Sequence, residues 1–394
     1  MRVELTIDRG YFHGVGWLSW ASPKGLLNKV YLFMDKQLIV DLSGNIDFNS
    51  HGRMYLQSPD GVEQVTLMSP EQIDLFSRAV PRQNLEIQRL VTITEIAQRC
   101  RDKIADLTDA VVLINTLGGT DTMRATLEWI RKTITENDGK MIGVVAQDAQ
   151  SLGAIAACMT DEILCLRNSR FMWHQTRQDP KFGSLDEAAE VDGVSREDEL
   201  KGRRTRNRIV MINLLMFLMR SGNPVPEHLK KRLISSLYID EQAFEMDVAI
   251  VRKFKEEGKG TEVTETDLDV NLYKCDGEFA VTGRELEQMN LVMAKATVEE
   301  LVQEVRRRGL NVAFPSFKTP QDKFFMMAKL GEMARERNLK VEFFIDPDGD
   351  ISAKNLPGYS DEKQKRNLRR AVAMVQDLLG RKVGTLEYRL PQGS

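Results

Sequence analysis

The chain has 394 residues, long enough for two or three domains and a large apolar core. Its 55 Lys and Arg nearly balance 58 Asp and Glu, and the resulting net charge of −3 leaves no global basic field to draw nucleic acid. The four cysteines (Cys100, Cys158, Cys165, Cys275) lack metal-type spacing and sit mostly in apolar stretches, so they read as buried free thiols of a reducing, cytoplasmic setting.

Residues 1–85 are strand-rich, with Leu38-Ile39-Val40-Asp41-Leu42 followed by the turn signal Ser43-Gly44-Asn45, and a second turn at Pro59-Asp60-Gly61. Nothing in this region is catalytic, and a recognition or assembly module is the expectation. No segment has the basic, apolar and small-residue order of a signal peptide. Residues 86–295 alternate strand and helix, the pattern of an α/β layered domain. Val111-Val112-Leu113-Ile114-Asn115 is a strand broken by Thr116-Leu117-Gly118-Gly119-Thr120. A second strand, Met141 to Ala146, leads through Gln147-Asp148-Ala149-Gln150 into Ser151-Leu152-Gly153-Ala154 and a helix to about Thr160. Asn168-Ser169-Arg170-Phe171-Met172-Trp173-His174 follows.

The next long helix is basic over Arg203 to Arg208 and apolar over Ile209 to Met219. That run is too short to span a bilayer, so no membrane is expected. A solvated turn feeding a buried stem explains it, and an oligomer interface is compatible with the same pattern. Residues 296–394 form a small C-terminal α/β region. A helix covers Val298 to Arg308, whose Glu304-Val305-Arg306-Arg307-Arg308 reads as a solvated face. A strand-helix-strand unit runs from about Asn311 to Ile345, and a helix covers about Asp361 to Leu379. Asp346-Pro347-Asp348-Gly349-Asp350 is a turn rather than a calcium loop, because Pro357 stands where the twelfth-position glutamate is needed.

The chemistry gathers between Val111 and His174. A serine hydroxyl is a poor nucleophile near neutral pH and needs an adjacent base. Ser151, between a strand and a helix, is exposed to one end of the helix dipole, and Gly153 and Ala154 leave room for a substrate backbone. The Leu152 N–H follows the nucleophile and Gly119 lies in a freely aimed turn, so these two are the candidate oxyanion donors. His174 is the candidate general base. Taken singly, Ser151 reads as a helix cap and His174 as a strand-end histidine; their joint order carries the functional reading. No metal and no cofactor are implied.

The order Ile114-Asn115-x-x-Gly118-Gly119-Thr120, Ala149-Gln150-Ser151-Leu152-Gly153-Ala154 and Asn168-Ser169-Arg170-Phe171-Met172-Trp173-His174-Gln175 resembles the proteolytic subunit of Clp protease. That family carries I-N-S-P-G-G-S, A-S-M-G-A and N-S-R-x-M-x-H-Q at nearly the same spacing. The resemblance covers roughly residues 85 to 295. It implies an α/β fold of the ClpP/crotonase-like layered type, with Ser151 as nucleophile, His174 as base, and Gly119 and Leu152 as oxyanion donors. It further implies a homo-oligomeric ring joined through a handle helix, a peptide or unfolded-protein substrate, and an AAA+ ATPase unfoldase partner. Two departures stand out. Leu117 replaces the family proline, and the family aspartate has no clear counterpart: Glu227 to Ile234 carries lysine and arginine instead. Asp240, Asp267 and Asp269 lie in an inserted stretch and are the open candidates for the third triad member. Glu278-Phe279-Ala280-Val281-Thr282-Gly283-Arg284-Glu285-Leu286 resembles the family's next strand and the T-G-x-x-A motif of signal-peptide peptidase A. Alternatives to a serine endopeptidase are a catalytically silent assembly or regulatory subunit of the same fold and a crotonase-type acyl-CoA enzyme. A Ser–Lys dyad is a lesser variant.

Overall fold

The computed structural model describes residues 17–21, 27–31, 37–43, 53–58, 61–65, 67, 102, 107, 109–118, 122–175, 195–222, 224–257, 272–274, 277–314, 318–345, 351–355 and 361–379. Gly119, Asp267, Asp269, Cys100, Cys275 and the Asp346 to Asp350 turn lie outside the described residues.

The fold is mixed α/β around one mostly parallel sheet. The strands β3 (Gln37–Ser43), β6 (Asp109–Thr116) and β7 (Lys140–Gln150) form its parallel centre. On one side, β4 (Arg53–Ser58) and β5 (Gly61–Val65) extend it antiparallel from β3. The strand-rich N-terminal region thus shares a sheet with the strands that carry the candidate motifs. A separate antiparallel pair joins β1 (Trp17–Ala21) to β2 (Leu27–Tyr31).

On its other side β7 forks. Its first half, Ile142 to Val145, pairs in parallel with β8 (Glu162–Leu166), which in turn pairs with β11 (Met293–Lys295). Its second half, Asp148 to Gln150, pairs with β9 (Arg170–His174), and β10 (Glu278–Thr282) adds antiparallel to β9. Between the halves the register of β6 against β7 shifts, from Ile114↔Val145 to Thr116↔Ala149. This bulge swings β7 from one neighbour to the next, and the side-chain carbonyl of Asn115 accepts the Asp148 N–H at 3.3 Å where the ladder is interrupted.

Both faces of the centre are covered, which explains the continuous apolar runs of β3 and β6. Val112 and Ile114 face α1 (Thr122–Glu136), α2 (Leu152–Met159) and α3 (Arg196–Leu218), with α4 (Glu227–Leu237) and α5 (Glu241–Glu257) beyond. Val111 and Leu113 face the opposite layer, built from α7 (Val298–Arg307) and α8 (Pro320–Glu336). Each fully buried Val or Leu contributes about 1.5–3 kcal/mol. The second face of α8 packs Met326, Leu330 and Ala334 against β12 (Val341–Ile345), β13 (Ile351–Asn355) and the Ala371, Met374 and Val375 face of α9 (Asp361–Leu379).

Two expectations for the C-terminal region are corrected. Asn311 to Phe314 is not a strand. Side chains satisfy its backbone instead: Arg306 Nε donates to Val312 O at 2.7 Å, Gln321 Nε2 donates to Asn311 O at 2.7 Å, and Asp322 Oδ1 accepts the Ala313 N–H at 2.7 Å. Nor is Glu304 on a solvated face; it is buried against Lys295 at 3.1 Å and Arg308 at 3.3 Å.

The short α6 (Gly283–Gln288) fixes the end of β10 through a capping box between Thr282 and Glu285. Burial alone would raise the Glu285 carboxyl, but the Thr282 amide and hydroxyl and the Arg232 guanidinium, 2.9 Å away, outweigh it and hold it below the usual carboxylate range. A depressed folded-state value stabilises the protein above the ordinary carboxylate range and loses that effect as pH falls through it. Glu285→Gln is therefore expected to destabilise the protein near pH 7, with the gap to the unsubstituted chain closing below about pH 4. Denaturant titrations across pH check this.

Candidate active site

The site forms where β6, β7 and β9 end, with each of the three sequence motifs supplying one piece. Ser151 directly follows β7 and stands at φ 53°, ψ −117°, a left-handed conformation that a side-chain-bearing residue rarely adopts. Its N–H donates to Met172 O of β9 at 2.8 Å, and its own carbonyl accepts from Ala154 and Ile155 at 3.0 and 3.1 Å to start α2. The backbone is therefore gripped on both sides of the corner, which over-determines the strained angle. The hydroxyl makes no cap bond to α2. Serine at a helix start ordinarily earns its place by capping, so this one is left to do something else.

Gly118 explains why the corner needs glycines. Its φ is +135°, and a Cβ built on it would sit 2.8 Å from Ser151 Cβ and 3.3 Å from Ser151 Oγ. Thr116 locks this turn, its hydroxyl donating to Gly118 O at 3.0 Å while accepting the Gly118 N–H at 3.1 Å. The Gly118 amide is thus occupied. Gly153 performs the matching task on α2, since a Cβ there would meet Thr116 Cγ2 at 2.6 Å. Gly118→Ala is expected to cost about 1–3 kcal/mol, from φ strain and the clash with Ser151. A urea midpoint within error of the unsubstituted chain would count against this packing account.

Leu152 is the first residue of α2, so its N–H has no carbonyl a turn earlier in the helix to bond and faces the helix entrance unclaimed by the ladder. Leu117, beside Gly118, is 60% exposed.

His174 ends β9, half-buried. Gln150 and Met172 are register partners, which puts Ser151 and His174 on adjoining strand ends, one residue apart in register. Among the described residues no hydrogen bond joins the two side chains. The His174 ring instead places Nδ1 2.5 Å from the carbonyl oxygen of Gln175. A carbonyl only accepts, so Nδ1 is the donor in this contact, and Nε2 is the nitrogen left for a base to use.

Of the third-member candidates, Asp240 is the one among the described residues, and no hydrogen bond joins it to His174. Asp240 is exposed and its Oδ1 accepts the Ala243 N–H at 2.8 Å, the N-cap of α5. Asp267 and Asp269 lie outside the described residues. Glu278, which the sequence did not single out, is the register partner of His174 across the β9/β10 pair. Its signal was present in the stretch before Phe279, but strand pairing is non-local and a single sequence does not reveal it.

Behind the site lies a buried polar cluster. The Nη2 of Arg208 on α3 lies 3.2 Å from Asp247 Oδ1 on α5, with the two side chains 4% and 0% exposed. Tyr273 and Tyr238 hydroxyls donate to Asp247 Oδ2 at 2.7 and 3.1 Å. Burial pushes the Asp247 carboxyl up, and the two hydroxyls and the guanidinium only partly offset it. Next to Arg208, Asn207 donates to Gln175 Oε1 at 3.3 Å, which ties this cluster's helix to the residue after His174. Elsewhere, burial pushes the Cys158 thiol up to about 12, and Cys158 and Cys165 are both free and buried. Among the described residues no group of three or more His, Cys, Asp or Glu is placed to hold a metal, and no helix is long and apolar enough to cross a membrane.

No protein-family model matches the chain, and no curated protein is similar to it.

Proposed function

We propose that this chain is a serine peptidase with the layered fold of Clp-type proteases and crotonases, cutting extended peptide through an acyl-enzyme. The observation that carries the reading is Ser151: an uncapping serine held at a strained positive φ, at a strand–helix corner cleared of side chains by Gly118 and Gly153. Strain of this kind is stored where it serves a site.

In the proposed reaction Ser151 Oγ attacks the peptide carbonyl carbon and its proton passes to His174 Nε2. The N–H groups of Leu152 and Gly119 hold the oxyanion. The imidazolium then protonates the departing amine, and water activated by His174 releases the acid. An extended peptide lying beside the strand before Gly118 and the strand ending in His174 supplies backbone hydrogen bonds. Assembly as a cytoplasmic homo-oligomeric ring with an AAA+ unfoldase belongs to the same proposal, on the strength of the sequence resemblance. The apolar half of α3 is buried within the subunit at Val210, Met211, Leu214, Leu215 and Leu218, which matches the buried-stem reading of that helix.

A fluorophosphonate probe tests the proposal. Attack by Ser151 Oγ on phosphorus with loss of fluoride leaves a stable adduct that mass spectrometry places on one peptide. Labelling at Ser151 that is absent in His174→Ala supports the reading, and an unlabelled folded chain overturns it. One observation favours a second reading, a silent assembly subunit of the same fold: no carboxylate is hydrogen-bonded to His174 among the described residues.

A further inference from the structure

We infer that Glu278 and the backbone carbonyl of Gln175 divide between them the task that a single aspartate performs in a serine–histidine–aspartate triad. The inference rests on the peptidase reading above. A triad carboxylate does two things: it holds the imidazole in one tautomer and orientation, and it stabilises the positive charge that develops as the serine proton arrives. In this chain the two tasks are separable.

The first falls to Gln175. Its carbonyl oxygen is 2.5 Å from His174 Nδ1 and fixes the proton there. The residue is itself held: it is 7% exposed, and Asn207 of α3 donates to its Oε1 at 3.3 Å. A neutral carbonyl orients the ring well but carries no net charge to set against an imidazolium.

The second task needs an anion on the same side of the sheet, and Glu278 has that position. His174 and Glu278 are direct partners in the antiparallel pair, as are Trp173 and Phe279 one residue back. Trp173 and Phe279, 1% and 0% exposed, turn into the core. Side chains alternate along a strand, so His174 and Glu278 share the opposite face, with Cβ atoms about 4.5–5.5 Å apart as for any directly opposed pair. A glutamate reaches across that gap easily. Glu278 is solvent-exposed, so it acts through water-screened charge and is a positioning residue rather than a catalytic one.

The experiment measures the rate of fluorophosphonate labelling of Ser151 in the full chain and in Glu278→Gln and Glu278→Asp. Glu278→Gln keeps the size and polarity and removes only the charge. It is expected to slow labelling by about tenfold or more at unchanged thermal midpoint, a fraction of what losing a buried triad aspartate costs. Glu278→Asp, which keeps the charge, should recover most of the rate. Labelling of Glu278→Gln at the unsubstituted rate overturns the inference and leaves the peptidase reading standing. Equal slowing in Glu278→Gln and Glu278→Asp also overturns it, since that marks a role for side-chain length rather than charge. Absence of labelling in the unsubstituted chain removes the peptidase reading, and this inference with it.

Discussion

Ser151→Ala is expected to abolish fluorophosphonate labelling and to lower peptide turnover by about 10⁴-fold or more, the scale seen when a triad nucleophile is removed. Ser151→Gly should lose the chemistry equally but do something else to the fold. At φ 53° and ψ −117° any residue with a Cβ is strained, by about 1–3 kcal/mol, and glycine is not. Ser151→Gly is therefore expected to be more stable than either the unsubstituted chain or Ser151→Ala, by about 1 kcal/mol once the entropy of glycine in the unfolded chain is subtracted. Paired melting curves and labelling decide the matter. A stabilised, inert glycine variant is the signature of strain kept for function. A glycine variant less stable than the alanine one would mean that the corner is relaxed and that its geometry says nothing about catalysis.

Several parts of this architecture were legible in the sequence. α9 falls on its expected bounds and α2 ends within a residue of its expected end, because charged helix formers fill the first and Thr160 punctuates the second. The strand ends carrying Gly118, Ser151 and His174 were also legible, since β-rich apolar runs broken by glycine identify themselves locally. Pairing was not. β7 runs on through Gln147, Asp148 and Gln150, a polar stretch that reads as a loop, because β9 takes over as its neighbour there. The opposition of Glu278 to His174 is hidden for the same reason: the two are over a hundred positions apart and meet only through register. Asn311 to Phe314 shows the converse failure. Its composition suits a strand, but Arg306, Gln321 and Asp322 supply its hydrogen bonds, so no ladder is needed. Arg208 misleads in another way. It belongs to a basic run that looks solvated, and only the tertiary fold supplies the buried Asp247 that neutralises it.

That buried pair yields the largest expected change in stability. Asp247→Ala leaves the Arg208 guanidinium in the interior without its counter-charge and removes the acceptor of the Tyr238 and Tyr273 hydroxyls. Breaking a buried ion pair from one side costs about 3–5 kcal/mol, a large share of a domain's total stability of about 5–15 kcal/mol. Asp247→Asn keeps an acceptor for the hydroxyls and should cost less, while replacing both members with apolar residues of similar volume should come close to neutral. The pH dependence separates charge from packing. Burial raises the folded-state value of Asp247 above the ordinary 3.8, so the folded protein binds this proton more tightly than the unfolded chain does. The associated stability is complete below the unfolded value and is lost as pH rises through the raised one, the opposite of the Glu285 case. Relative to the unsubstituted chain, Asp247→Asn should thus look progressively less damaging as pH rises across that window. Urea midpoints at a series of pH values measure it, and a gap that widens with pH would mean that Arg208 and the two hydroxyls outweigh burial in setting the charge of Asp247. Because Asn207 joins this helix to Gln175, the same destabilisation should reach His174 and slow Ser151 labelling in Asp247→Ala even at temperatures where the chain remains folded.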